Sequence, residues 1–324
     1  LTDLAGLDNI DAASITNLSI IDNPTLASCS VQSICDYLVM PNGTVTISNN
    51  ATGCSTIYEV SELCDIILSC LPNGIILSTQ EQINNFQTNY PGCTMIEGNV
   101  KIQGAGITNL NGLSVLSAIG GNLDIRLNSA LTSLNGLEGL TSIGGSLRIH
   151  NNYSLTSLTG LDNLTYVGTS LILNNNTALS ACNTDWLCNV PEIVCGSVTI
   201  QNNAQGCASL VEAALSCGGM SCLPNGVHNF LLQNDVDNFS VAFPGCNSTG
   251  SIKVSGANIN NLNGLNMLTS INGTLEIHDI HTLPDLSGLN NLTYIGGRLS
   301  IMISSLINMT GLESLNSVGS DFFI

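Results

Sequence analysis

Residues 122–169 carry one 24-residue unit twice, end to end: NLDIRLNSALTSLNGLEGLTSIGG, then SLRIHNNYSLTSLTGLDNLTYVGT. The shared pattern is xLxIxxNxxLxxLxGLxxLxxIGG. A fixed period of about 20–29 residues, with leucines around a short alternating segment, marks a leucine-rich stack. One such unit cannot bury its own apolar edge and must pack on a neighbour. Leu123 and Ile125 alternate with Asp124 and Arg126, and Leu147 and Ile149 with Arg148 and His150. A period of two predicts a strand with one buried face, here with Leu171, Leu275 and Ile277 also inside. One strand is expected per unit, with extended chain or short turns elsewhere. Asn128, Asn152 and Asn176 share a phase, each followed three residues later by a leucine (Leu131, Leu155, Leu179). An inward asparagine there can bond the open backbone of its own and the neighbouring unit. The paired glycines Gly120-Gly121, Gly144-Gly145 and Gly296-Gly297 are expected to make the tight corner with positive φ.

The chain has 324 residues, a formal net charge of −18 and only five Lys or Arg. Nucleic acid and anionic membranes need clustered basic charge, so neither is expected as a partner. No run of about 18 apolar residues occurs, so no membrane insertion is expected. Thirteen cysteines without metal-ligand motifs predict an oxidising, extracellular compartment, secreted or at the cell surface.

A longer repeat encloses the short one. Cys29, Cys35, Cys54 and Cys64 recur as Cys182, Cys188, Cys207 and Cys217, each shifted by 153 (182 − 29). In each set a last strand precedes a helix-like stretch, Ser55–Cys64 or Ala208–Cys217. A disulfide-tied end of this kind keeps other chains off the final strand. CLPNGIILSTQEQINNFQTNYPGC, from Cys70 to Cys93, recurs from Cys222 to Cys246. Ser78 with Glu81 reads as a capping box for a short helix carrying Ile83 and Phe86. The domains are therefore drawn at 1–69 (the end of one), 70–221 (a whole one) and 222–324 (the start of a third). Leu1 and Ile324 both fall inside a unit, so either a longer polypeptide with further domains or another copy docked at each end is expected.

Cys70–Cys93 and Cys222–Cys246 each bracket one helix and are paired on that ground. Four cysteines in a trailing cap allow three pairings. Cys29 and Cys54 each follow a strand at similar corners, which favours Cys29–Cys54 and Cys35–Cys64, and likewise Cys182–Cys207 and Cys188–Cys217. Cys195 has no counterpart, since Asn42 aligns there, and is left free or intermolecular.

This pattern of units between a helical cap and a Cys-rich cap resembles the receptor L domain, and within it the secreted tandem-repeat surface proteins of bacterial or protist type. The resemblance implies a mainly β chain: a right-handed parallel β-solenoid, leucine-rich-repeat-like, with small helical disulfide-tied caps. It implies an extracellular location. The third domain departs from the pattern where Asp279-Ile280-His281 replaces Asn-Asn-Tyr.

By alternation, Lys101, Asp124, Arg148 and Ile172 form one outward column, and Gln103, Arg126, His150 and Asn174 the next. Lys101, Arg126, Arg148 and His150 are the candidate binding face for an acidic partner. The bland alternative is an ordinary charge ladder with Asp124 between Lys101 and Arg148. His278 and His281, near Asp279 and Asp285, need not converge on a metal. No Ser-His-Asp grouping, paired-carboxylate motif or phosphate loop repeats, so no enzyme, cofactor or metal is expected. Aromatics fall largely in the caps (Tyr37, Tyr58, Phe86, Tyr90, Trp186, Phe239, Phe243) and read as cap core. Among the N-x-[ST] sequons, Asn163, Asn291, Asn175, Asn50 and Asn272 are the candidates for glycans, while Asn152 should face inward unmodified. The favoured function is a structural extracellular repeat protein, a subunit of a surface layer or filament formed by further copies end to end. The alternative is an adhesin or receptor-like module that binds through the exposed sheet.

Overall fold

The structure is a computed structural model and describes residues 1–66, 69–222, 226–303 and 305–324, without the side chains of Tyr58 and Ser69. The expectation that Tyr58 belongs to a cap core lies outside the described side chains.

The chain is mostly β, arranged in several parallel sheets. A six-stranded sheet runs through Ile75–Leu77, Val100–Ile102, Leu123–Arg126, Leu147–His150, Leu171–Asn174 and Val198–Gln201. A second sheet takes Ser69–Cys70, Met95–Ile96, Ala118–Ile119, Ser142–Ile143 and Tyr166–Val167. Residues 227–323 repeat the arrangement with five and four strands, and Leu18–Ile21 pairs with Val45–Ser48 in the first region. Each 24-residue unit thus supplies two strands, not the single strand expected from alternation. The second is only two residues long, too short for a period of two to appear in the sequence.

Register stacks like on like. Leu123 faces Leu147, which faces Leu171, and Ile125 faces Ile149. Leu123, Ile125, Leu147, Ile149, Leu171, Leu275 and Ile277 are all fully buried. Asn128, Asn152 and Asn176 are buried with them and form a ladder. Asn152 Nδ2 donates to the Ile125 carbonyl (2.9 Å), while its Oδ1 accepts from the Asn128 backbone N–H (3.1 Å). Asn176 does the same one unit on, and Asn203 closes the ladder. In the third region Ile280 takes the place of Asn128 and is equally buried, so that rung is apolar.

The paired glycines are not the positive-φ residues. Positive φ falls instead on the corner residue after seven of the four-residue strands, Asp22, Asn49, Leu127, Asn151, Asn175, Asn202 and Asp279, and on Gly136, Gly160 and Gly288 of the LxGL segment with Gly311 at its equivalent. Asn and Asp tolerate the left-handed region because their short side chains bond locally. Gly120 is needed for space: a Cβ there would meet the Glu97 carbonyl oxygen at 2.6 Å.

The leading helix is capped one residue later than expected. Thr79 is the N-cap and Gln82 its capping-box partner; Gln82 Oε1 also accepts from the Ser78 N–H (2.6 Å). The segment STQEQ contains two overlapping S/T-x-x-E/Q matches, and burial of Ile83 and Phe86 selects the second. The trailing helices span Ile57–Leu63 and Leu210–Ser216, capped by Thr56 and Ser209. A further helix, Gln32–Val39, and two single turns, Asp185–Cys188 and Val190–Ile193, precede the last strands. Cysteines are bonded 29–54, 35–64, 70–93, 182–207, 188–217 and 222–246. Cys195 is free and exposed.

One continuous apolar core runs from Leu77 to Ile301, and a separate cluster from Leu18 to Val60. The long core crosses the junction near residue 221. There the helix Leu210–Ser216 packs on the helix Gln233–Ala242. Ser209 Oγ donates to Asp235 Oδ1 (2.8 Å), and the Met220 N–H to the Ala242 carbonyl (2.8 Å).

Candidate binding face

The six-stranded sheet turns its outward columns away from the leucine core. The register Lys101↔Asp124↔Arg148↔Ile172 is present in full, and Arg126↔His150↔Asn174 pair likewise. Gln103 falls past the end of the strand Val100–Ile102 and meets Arg126 only through side chains, its Oε1 accepting from Arg126 Nε (3.2 Å). The charge ladder differs from the expected one. Asp124 is held on the diagonal by His150 Nε2 (3.1 Å); along its own strand Arg126 Nε lies 3.6 Å away but donates its hydrogen bond to Gln103 Oε1. Lys101 and Arg148, its direct cross-strand neighbours, make no ion pair among the described residues.

That arrangement leaves cationic charge unspent beside a cleft of about 690 Å³ at the leading end of the sheet. Lys101, Arg126 and Arg148 line it, with Asp124 and the amides of Asn73, Asn99 and Asn122. His150 does not line it, being turned to Asp124 and to Asn151 (3.1 Å). The amides form a rim that no motif in the sequence marks. Asn122 donates from its backbone N–H and its Nδ2 to Asn99 Oδ1 (2.8 Å each), and its own Oδ1 accepts from the Ser146 N–H (2.7 Å). The signal was available: Asn99, Asn122 and Ser146 each stand at the first position of a unit.

The third region lacks this constellation. Counterparts 152 residues on are Lys253, Glu276, His278 and Ser300, so one lysine faces one glutamate in register. His278 Nδ1 lies 2.7 Å from the exposed Asp279. No group of three or more His, Cys, Asp or Glu that could hold a metal occurs among the described residues.

The cap aromatics Tyr37, Phe86, Trp186, Phe239 and Phe243 are buried. They are joined by His228, fully buried against Phe239 and Phe243 (centroids 5.3 and 5.0 Å), with neither ring nitrogen partnered among the described residues. Desolvation lowers its pKa to about 4. Asp235, buried at the junction, is shifted upward by desolvation, against the lowering effect of the Ser209 hydrogen bond.

Of the glycan candidates, Asn163 and Asn291 are exposed at the same phase, each donating Nδ2 to a carbonyl of the preceding unit (Glu138 and Asn266, both 2.7 Å). Asn272 is exposed and Asn175 half-buried. Asn50 is instead a ladder asparagine, its Nδ2 bound to the Ile20 carbonyl (2.8 Å) and its Oδ1 to the Asn23 N–H (3.0 Å).

The family model of the receptor L domain matches residues 92–214. No curated protein and no solved structure matches the chain significantly. The receptor L domain is a non-enzymatic ligand-binding family, and together with six disulfides the match suggests an extracellular or cell-surface, receptor-like binding module. No helix among the described residues is long and apolar enough to cross a membrane.

Proposed function

We propose that the chain is a tandem array of right-handed parallel β-solenoid domains, divided at 1–69, 70–221 and 222–324, that binds an extracellular ligand on the six-stranded face of the second domain. The observation that carries this is the gathering of Lys101, Arg126 and Arg148, three of only five basic residues, around one open cleft. A protein of net charge −18 has little reason to cluster its few cations on an uncommitted surface. Ligand sites are commonly concave and of about 300–1,000 Å³, the range of this cleft. The test is steric. Ile172→Cys in a Cys195→Ser background is coupled to a bulky polymer, and binding of the full chain to the surface of its source cells is read by flow cytometry. Loss of binding is expected, with retention when the polymer sits on Ser114→Cys, beside the turn Asn111–Leu113. Equal binding by both adducts would refute the reading.

A second reading, a subunit of a surface layer or filament joined end to end with further copies, draws support from the packed junction of Ser209 with Asp235. A head-to-tail contact propagates unless its rotation closes. Electron microscopy of the native material tests it: filaments favour this reading, and discrete particles count against it.

A further inference from the structure

Resting on the binding-face reading above, we propose that the cleft recognises an acidic carbohydrate, a chain of sugars bearing carboxylate or sulfate groups. Three features select this class. The first is charge. Lys101 and Arg148 are partly exposed and unpaired among the described residues, and Arg126 shares its one carboxylate, Asp124, with His150. The cleft therefore carries an excess of positive charge. Their strands are two spacings apart, about 10 Å at roughly 4.8 Å per strand. A single small anion cannot span that, whereas a ligand with repeated anionic groups can.

The second is the rim. Asn73, Asn99 and Asn122 surround the cations. Asn99 is exposed and its Nδ2 has no acceptor among the described residues, while its Oδ1 is fixed by Asn122. Amides both donate and accept, which suits hydroxyl groups set between anionic ones. Arg adds a planar fork that fits carboxylate or sulfate oxygens in pairs.

The third is what the cleft lacks. No aromatic side chain lines it, and among its apolar lining Val100 is buried and only Ile76 is exposed. A protein partner would normally anchor on a buried aromatic or aliphatic hot spot. Nucleic acid would need many more phosphate contacts than three cations provide, against the chain's strong negative field.

The test uses the full chain and titration calorimetry at low and at physiological ionic strength. Probes are a heparin-derived sulfated hexasaccharide, a hyaluronan hexasaccharide carrying carboxylates only, a neutral oligosaccharide and poly-glutamate. Saturable binding of the sulfated probe, the carboxylate probe or both is expected, weakened by salt. Binding should fall at least tenfold in the double variant Lys101→Gln/Arg148→Gln and stay unchanged in Lys253→Gln. Unfolding curves of both variants should match the parent, since the altered side chains pack no core. The proposal fails if neither acidic sugar binds, if the neutral sugar or poly-glutamate binds as tightly, if the double variant binds normally, or if Lys253→Gln weakens binding as much. Failure here with a positive polymer-block result would leave the binding-face reading standing and remove only the ligand class.

Discussion

Asn152 and Asn128, one unit apart, are joined twice: Asn152 Oδ1 accepts from both the backbone N–H (3.1 Å) and the Nδ2 (3.0 Å) of Asn128. Both side chains are wholly buried, so water cannot replace either bond. Asn152→Ala leaves the Asn128 N–H, the Asn128 amide and the Ile125 carbonyl short of partners. An expected loss of about 3 kcal/mol follows from stranding buried polar groups. Urea unfolding of the variant checks it, and an unchanged midpoint would show the ladder to be dispensable.

Leu147 sits in the middle of the leucine stack between Leu123 and Leu171. Leu147→Ala should cost about 3 kcal/mol through lost burial and a residual cavity. Leu147→Asp should unfold the stack around it, because a buried carboxylate would have no partner. Circular dichroism with urea titration reads both. Native-like stability in Leu147→Asp would contradict the buried stack.

His228 makes stability depend on pH. Its pKa falls from 6.5 to about 4 on folding, so between those values the unfolded chain binds a proton that the folded chain does not. Stability should therefore drop as pH falls through that window, by about 3 kcal/mol in all. Asp235, shifted upward, pulls the other way, since protonation there favours the folded form. His228→Phe removes the first effect and leaves the second. Comparing the variant with the parent in urea at about pH 7 and about pH 4 isolates it. A difference between them that does not change with pH would rule out a buried neutral imidazole.

Cys195 is exposed and unbonded, whereas the other twelve cysteines are in disulfides. Alkylation of the folded, unreduced chain should add one label, and Cys195→Ser should take none. Mass spectrometry counts the labels; more than one would mean that another pair is open.

The amino-acid sequence alone determined the period of the stack, the inward face of each long strand and the inward turn of Asn128, Asn152 and Asn176. These follow from alternation and from a side chain recurring at one phase, both of which are local. Tertiary structure decided the rest. Which residue takes positive φ depended on the close approach of consecutive units, which reserves Gly120 for space and leaves the left-handed corner to Asn151 and its equivalents. Alternation put Asp124 between Lys101 and Arg148, but the folded sheet lets His150 and Arg126 reach it first and leaves the two outer cations beside the cleft. That cleft is lined both by the edge strand Ile75–Leu77 with Asn73 before it and by residues 23 (99 − 76) to 75 (148 − 73) positions further along the chain. A period of two can say which face a side chain is on. Which neighbour it meets there is set by side-chain length and by contacts between residues far apart in the chain.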